Sequence, residues 1–421
     1  MSRIYSFAKR LLDCVGVLAA IPIVLLCRFL RPVVNVRFGF FFVDRIGHFA
    51  FDLEYYLSRR ASESFDRPVK DLFFTTGDPC NDTLITLMER HVVVHPLVRY
   101  LFHAERIIPF NTKELLPARL ETGSMDPSGI LAKNRQQLTF LEEEDEKGLE
   151  YLYRLGCGAN EKIVCLIVRD SAYLNSIRRE KDWEYHSYRD TDISNYKEAA
   201  LYLAQKGYWV FRMGKFVNQP MREVHPRVID YALSGSRSDF LDLWLLSKCM
   251  FSITTSTGLD SVADIFRKPI AFVNFLPLAW FQTWSECVLA PTHLVWEATG
   301  IKLTCPEHFA HSYLRTEDYR DAGILIRELS SEEILDVVAE LELRLTEKWN
   351  SNVKMDKEQE RFWDCFRRGA GKESGEVRDT FGTKPELFKR QRKPTIGVDR
   401  YYNPSAKFSA KFLEDNPSFL E

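Results

Sequence analysis

Hydrophobic positions fall into three regimes along the chain. Leu11–Cys27 is a nearly continuous apolar run, LLDCVGVLAAIPIVLLC, preceded by Lys9 and Arg10 and followed by Arg28 and Arg31. From Phe38 the pattern changes to short uninterrupted apolar runs alternating with amphipathic stretches. This predicts strands at 38–43 (FGFFFV), 71–76 (DLFFTT) and 92–94 (VVV), with helices over 49–60 and 83–90. A second series predicts strands at 162–168 (KIVCLIV), 208–211 (YWVF), 250–254 (MFSIT) and 270–275 (IAFVNF). Helices are expected over 191–207, 238–249, 259–266 and 331–349. The first has an N-cap candidate in Asp192 or Ser194 and stops at Gly207. Apolar strands separated by helices predict parallel sheets covered on both faces, hence two doubly wound α/β domains. Between the series, 116–160 is more polar; its acidic run EEEDE (142–146) reads as a solvated helix face and linker. The division expected is 1–35, 36–155, 156–350 and a helical, charged extension over 351–421. In that extension KRQRK (389–393) is a solvated run or a contact for anionic headgroups.

The N-terminal run asks for a membrane. Its helix would extend about 25 Å, short of a hydrocarbon core of roughly 30 Å. Asp13 lies inside it, and Pro22 removes one helical hydrogen bond and favours a bend. Basic residues on both flanks give no direction of crossing, and Arg28-Phe29-Leu30-Arg31-Pro32 is a poor signal-cleavage site. Three readings stay open: a helix lying in or re-entering one leaflet, a full span, or a buried helix of a soluble body. The order Lys9, Arg10, Asp13, proline resembles the re-entrant anchor of monotopic phosphoglycosyl transferases, although the proline offset differs and their catalytic domain has no counterpart here. We expect membrane attachment, with the body on the cytoplasmic side.

Composition narrows the partners. With 421 residues, 45% hydrophobic and 28% charged, the chain is long and apolar enough for two or three domains, which excludes a mainly disordered protein. Lys plus Arg is 57 and Asp plus Glu is 59, a net charge of −2, so no whole-chain field attracts nucleic acid and any anion site must be local. Nine cysteines without a CxxC pair read as reduced thiols, with neither a zinc site nor a disulfide framework.

The sharpest chemical signal is ITTSTGLDSVADIFRKPIAFVN (253–274). A strand ends at Ile253 or Thr254, hydroxyls and Gly258 make the turn, and a helix follows. Free N–H groups at a helix start favour a phosphate, Gly258 allows close backbone approach, and Ser256 and Thr257 add donors; an ordinary N-cap is the alternative. Arg169 and Arg212 follow strands, at the edge where parallel sheets bind ligands, and could fork onto diphosphate oxygens, with Lys215 adding a point charge. Salt bridges to neighbouring carboxylates, such as Asp170, would equally explain them. In RIGH (45–48), Gly47 permits a tight strand-to-helix turn, leaving Arg45 and His48 at the sheet edge. His48 has the pKa range of a general base; Asp44 and Asp78 are alternatives, and helix capping is the plain reading. The turn GDPCND (77–82), with Asp78, could line an acceptor site or be only a turn. Asp190-Thr191-Asp192 spells a metal-binding DxD but precedes a helix, so capping explains it better and no metal is expected. PLAWFQTW (277–284) could stack on a base or pack under a loop, and Glu286 beside it could receive ribose hydroxyls.

STGLDSVADIFRKPIAF resembles the hydroxyl-Gly-Leu…Ala…Pro element in the C-terminal domain of GT-B glycosyltransferases, including the heptosyltransferase group. Together with RIGH, VRDSAYL (168–174) and YRDTDISNYKEAALYLAQKGYWVFRMG (188–214), it resembles a family of bacterial glycosyltransferases associated with surface-polysaccharide gene clusters, over roughly residues 36–300. The usual acidic or Asn position before the hydroxyl-Gly is Thr255 or Ser256 here, which leaves open which hydroxyl contacts phosphate. The resemblance implies two Rossmann-like domains facing a cleft, with a nucleotide-sugar donor on the second and an acceptor on the first. The expected activity is metal-independent sugar transfer to a growing, lipid-linked surface polysaccharide such as O-antigen, at the cytoplasmic face of the bacterial inner membrane, without a cofactor or nucleic acid. A polysaccharide pyruvyl transferase or a non-catalytic membrane-tethered scaffold are the other readings.

Overall fold

In the computed structural model, which describes residues 2–109, 115–116, 124–126, 128–170, 172, 184–222, 225–370 and 403–421, the first apolar run after the N-terminal helix becomes strand β1 (Asn35–Phe42). It pairs in parallel with β2 (Val69–Thr76), from Asn35 opposite Val69 to Phe42 opposite Thr76. Short β3 (Val93–Val94) and β4 (Leu115–Leu116) complete the order β3-β2-β1-β4. Side chains alternate across a strand, so the aromatic runs serve both faces. Phe38, Phe40 and Phe74 pack with α1 (Ser2–Phe29) and α4 (Val98–Ile107), through Ala20, Val24 and Phe102. Phe41 and Phe73 face the other way, against Tyr56 of α2 (Ile46–Ser62). Helix α3 (Asp82–Glu89) starts where the Asn81 side chain accepts the Leu84 N–H. These elements, with 137–139, form the first unit, residues 1–125. Within α1, Leu11–Phe29 is a 19-residue stretch of mean hydropathy 2.2, long and apolar enough to cross a membrane, and the helix runs on through Pro22.

The second unit comprises 126–136 and 140–421. Its seven-stranded sheet has the order β13-β10-β9-β8-β5-β6-β7 with every neighbouring pair parallel: β5 (Ile163–Ile167), β6 (Trp209–Met213), β7 (Val228–Ile229), β8 (Phe251–Thr254), β9 (Ile270–Phe275), β10 (Cys287–Pro291) and β13 (Ala406–Phe408). A two-stranded antiparallel ribbon, β11 (His293–Trp296) with β12 (Ile324–Arg327), stands beside it. The central strands are buried at every position, as continuous apolar runs require. Covering helices include α5 (Glu142–Arg154), α6 (Lys197–Gln205), α7 (Asp239–Lys248), α8 (Asp260–Ile265), α9 (Ser331–Leu345), α10 (Val353–Ala370) and α11 (Ala410–Asp415). The parallel α/β architecture expected from the sequence is therefore present in both units.

Two segments sit differently from their sequence reading. The acidic run 142–146 is the largely exposed helix face expected from the sequence, opening α5 where carboxylates favour the helix start, but it is no linker: Gly148 lies against the Trp244 indole of α7, whose Nε1 donates to Asp145 at 2.9 Å. The chain end also belongs to the second unit. Phe362 and Phe366 of α10 pack on Phe408 and Phe309, and β13 extends the sheet beside β10. KRQRK (389–393) and, within VRDSAYL, Ser171, Tyr173 and Leu174 lie outside the described residues. All nine cysteines are free thiols.

Candidate functional site

Strand order locates the site before any side chain is considered. From β5 the chain steps outward to β6 and β7, then returns to place β8 on the opposite side of β5. The first unit repeats the device, with β2 and β3 to one side of β1 and β4 to the other. Loops leaving such a reversal point diverge and open a crevice at the carboxyl ends of the strands, where open α/β sheets bind ligands.

In the second unit the loops after β5 and β8 meet there: the Arg169 backbone N–H donates to Thr255 Oγ1 at 3.0 Å. Arg169 is half-buried, and its Nε donates to Asp190 Oδ1 at 3.1 Å. Its guanidinium is pushed down to about 10 by burial first and then by the like charge of Arg189, with Asp190 opposing. It stays charged at neutral pH. Arg189 is near enough to act on it as a like charge; its own guanidinium lies over the Tyr188 ring at 5.3 Å, and its buried Nε has no hydrogen-bond partner. After β8 the chain bends at Ser256, whose φ of 62° is left-handed and sterically costly for a residue with a Cβ. Thr257 Oγ1 accepts the Leu259 N–H at 3.1 Å. The strained residue of the turn is thus Ser256, while Gly258 is its exposed neighbour.

Asp260 opens α8, and its carboxyl is pushed up to about 7, first by burial and next by Asp264, one turn further along. Asp264 is itself raised to about 6 by burial, against hydrogen bonds from Ser285 Oγ, the Trp284 N–H and Thr283 Oγ1. Arg189 acts on Asp260, Asp190 and Arg169 together, which groups these four at one edge. Two adjacent guanidinium groups, a hydroxyl-lined turn and a carboxyl half-neutral at physiological pH can hold a multiply charged anion.

Other sequence candidates fall elsewhere. Arg212 is fully buried; its Nη1 donates to Asp230 at 3.1 Å and its Nη2 to the Gln219 carbonyl at 3.1 Å, so the salt bridge weighed as its alternative is what forms. The strand-end rule ignores which face the side chain takes. Lys215 pairs with Asp239 at 3.6 Å. Glu286 immediately precedes β10, whose Cys287 pairs with Ile270 at the start of β9. Parallel register therefore puts Glu286 at the amino-terminal edge of the sheet, about 16 Å of strand from the opposite edge, and this corrects its ribose assignment. Asp190 is taken by Arg169, and the Asp192 side chain accepts the Ser194 N–H at 2.9 Å, as the capping reading of DTD requires. Among the described residues no group of three or more His, Cys, Asp or Glu side chains is gathered to hold a metal.

At the first unit's reversal point, the chain turns at Arg45 (φ −137°, ψ 118°), and Gly47 lies within the first turn of α2, so the bend does not depend on that glycine. His48 Nδ1 is 3.0 Å from Ser124 Oγ, which fixes the imidazole ring. Gly77 ends β2 with φ of 85°, and a Cβ there would meet Asp44 Cβ at 2.8 Å. Asp78 next to it is exposed. Sequence reasoning missed Arg189 and Asp260 because each adjoins a residue already explained as a cap or turn.

No protein-family model matches the chain, and no curated protein matches it. Solved structures similar to it include a glycosyl transferase family 9 protein from Veillonella parvula, 12% identical, with 73% of this chain and 97% of that chain covered and a TM-score of 0.43. Another is ADP-heptose LPS heptosyltransferase II of E. coli, 14% identical, covering 57% and 85%, with a TM-score of 0.32. A third is the dodecameric iron-containing heptosyltransferase TibC in complex with ADP-heptose, from enterotoxigenic E. coli, 15% identical, covering 74% and 76%, with a TM-score of 0.34.

Proposed function

We propose that this protein is a glycosyltransferase that takes a sugar from a nucleotide-sugar donor held at the reversal point between β5 and β8. The observation that carries this is the pairing of Arg169 and Arg189 beside the Thr255–Thr257 turn, where the Arg169 amide is tied to Thr255. A diphosphate leaving group gains negative charge as the glycosidic bond breaks. Guanidinium groups and hydroxyl donors already fixed in place stabilise that charge without reorganising. The two arginines repel each other until an anion arrives, so binding relieves a cost already present in the folded protein. His48, held by Ser124, is the proposed base for the acceptor hydroxyl. The motif resemblance supports a growing, lipid-linked surface polysaccharide as acceptor, handled at the cytoplasmic face of a bacterial inner membrane.

Calorimetric titration of the full-length protein with ADP, GDP and UDP tests the reading. One of them should bind, and binding should weaken when Arg169 or Arg189 is replaced by Gln. Failure of all three overturns the donor assignment, and thermal protection by phosphoenolpyruvate alone would favour pyruvyl transfer instead.

A further inference from the structure

From Leu11 to Phe29, helix α1 is apolar apart from Asp13 and Arg28, yet the described residues of the body cover one of its faces and leave the other exposed. Toward α4 and the first sheet it turns Asp13, Gly16, Val17, Ala20, Ile21, Val24, Cys27 and Arg28, a helical repeat of three and four. Both ends of that face are clamped by ions: Asp13 bonds Arg99, and Arg28 bonds Glu105 at 2.9 Å. Glu105 is buried and also takes Arg31 at 3.3 Å. The outward face carries Leu12 (68% exposed), Val15, Leu18 (64%), Ile23, Leu26 and Phe29 (80%). It extends about 27 Å from Leu11 to Phe29 and continues into Leu30 and Val33. An apolar-all-round helix belongs in a protein core or in lipid, and a strip this long is unusual on a free surface.

We propose that α1 lies lengthwise in one leaflet of an anionic bilayer, fastened to the first unit along its inner face, and does not cross the membrane. Two observations choose this occupant. A crossing helix would carry the Asp13–Arg99 and Arg28–Glu105 pairs, and with them α4, into the hydrocarbon, where ionised groups are costly. Lying flat, α1 presents apolar side chains from Leu11 to Phe29 to the acyl chains and keeps those pairs at headgroup level on the protein side. Arginines also gather at the carboxyl-terminal end of α1. Arg28 and Arg31 meet the buried Glu105 there, and exposed Arg67 donates to the Arg31 carbonyl at 2.7 Å, which places a guanidinium where anionic headgroups would lie. This surface is read from α1, α4, Arg31 and Arg67, none of which belongs to the proposed donor site, so vesicle binding and nucleotide binding can fail separately.

The test is flotation of the full-length protein with vesicles of phosphatidylcholine containing phosphatidylglycerol. Protein should float with the vesicles, and a Leu12→Glu, Leu18→Glu double variant should lose at least about tenfold in the bound fraction at an unchanged melting temperature, since both side chains are outside the core. A tag on the amino terminus should remain open to protease added on the side of the body. Protection of that tag would show a crossing helix and overturn the proposal. So would flotation of the double variant equal to the parent, or a parent that ignores vesicles and dimerises through α1.

Discussion

Replacing Arg189 by Gln separates a binding role from a structural one. Arg189 has no hydrogen-bond partner at its buried Nε, and its guanidinium rests on Tyr188 while pressing on the like charge of Arg169. Removing it breaks no ion pair among the described residues, and the repulsion relieved at Arg169 offsets the attraction lost to Asp190 and Asp260, so unfolding free energy should change by less than about 1 kcal/mol in either direction. A hydrogen bond to a charged group is worth about 1.5–3 kcal/mol, or roughly 10- to 150-fold in Kd. Arg189→Gln should therefore weaken nucleoside diphosphate binding by that factor, read by calorimetry at fixed pH and salt, with urea unfolding alongside. Arg212→Gln supplies the contrast. It strands Asp230 from a fully buried partner, so stability should fall by about 3–5 kcal/mol while the folded fraction binds as before. The reverse pattern, intact binding in Arg189→Gln and lost binding in folded Arg212→Gln, would refute the placement of the site.

Binding of a nucleotide sugar, whose diphosphate charge is constant near neutrality, should weaken as pH rises through about 7, because Asp260 is neutral below that value and negative above it; Asp260→Asn should flatten the profile. The same raised pKa means that Asp260's contribution to stability is full below the unfolded carboxyl value and is lost as pH climbs through about 7, so Asp260→Asn should also stabilise the protein at pH 8 in urea unfolding. Buried His308 is held down to about 3 by burial and by His293 and His311, so the unfolded chain takes up its proton first on acidification. The stability this represents is full above pH 6.5 and drains as pH falls toward 3; about 2 kcal/mol should go between pH 6.5 and 4.5, and a His308→Gln variant should lose that much less. Gly148→Ala should lower the melting temperature, since the new Cβ would sit 2.0 Å from the Trp244 indole, an overpacking worth about 1–3 kcal/mol.

What the sequence revealed and what it hid follow from one physical distinction. Strands β5, β8 and β9 were legible because a strand buried on both faces must be apolar at every position, and that run is visible without coordinates. Helix α4 was missed because its sequence, VRYLFHAERI, mixes charge with aromatics; those charges serve α1, far away in sequence. Strand β10 escaped notice as well, and that is why Glu286 read as a loop residue: without the strand there was no edge to place it on. The arginines show the same divide. Sequence position put Arg169 and Arg212 at the ends of neighbouring parallel strands, yet one guanidinium joins Asp190 at the carboxyl-terminal edge of the sheet and the other is sealed against Asp230. Arg189 is in a 3-10 turn rather than at a strand end, and it reaches Arg169 only because the chain folds back after β5, where the Thr191 N–H donates to the Arg169 carbonyl at 3.1 Å. Which strands exist is a local property of burial. Which charge meets which is set by strand order, and the reversal at β5 and β8 brings Arg169 to Thr255 across 86 residues of sequence.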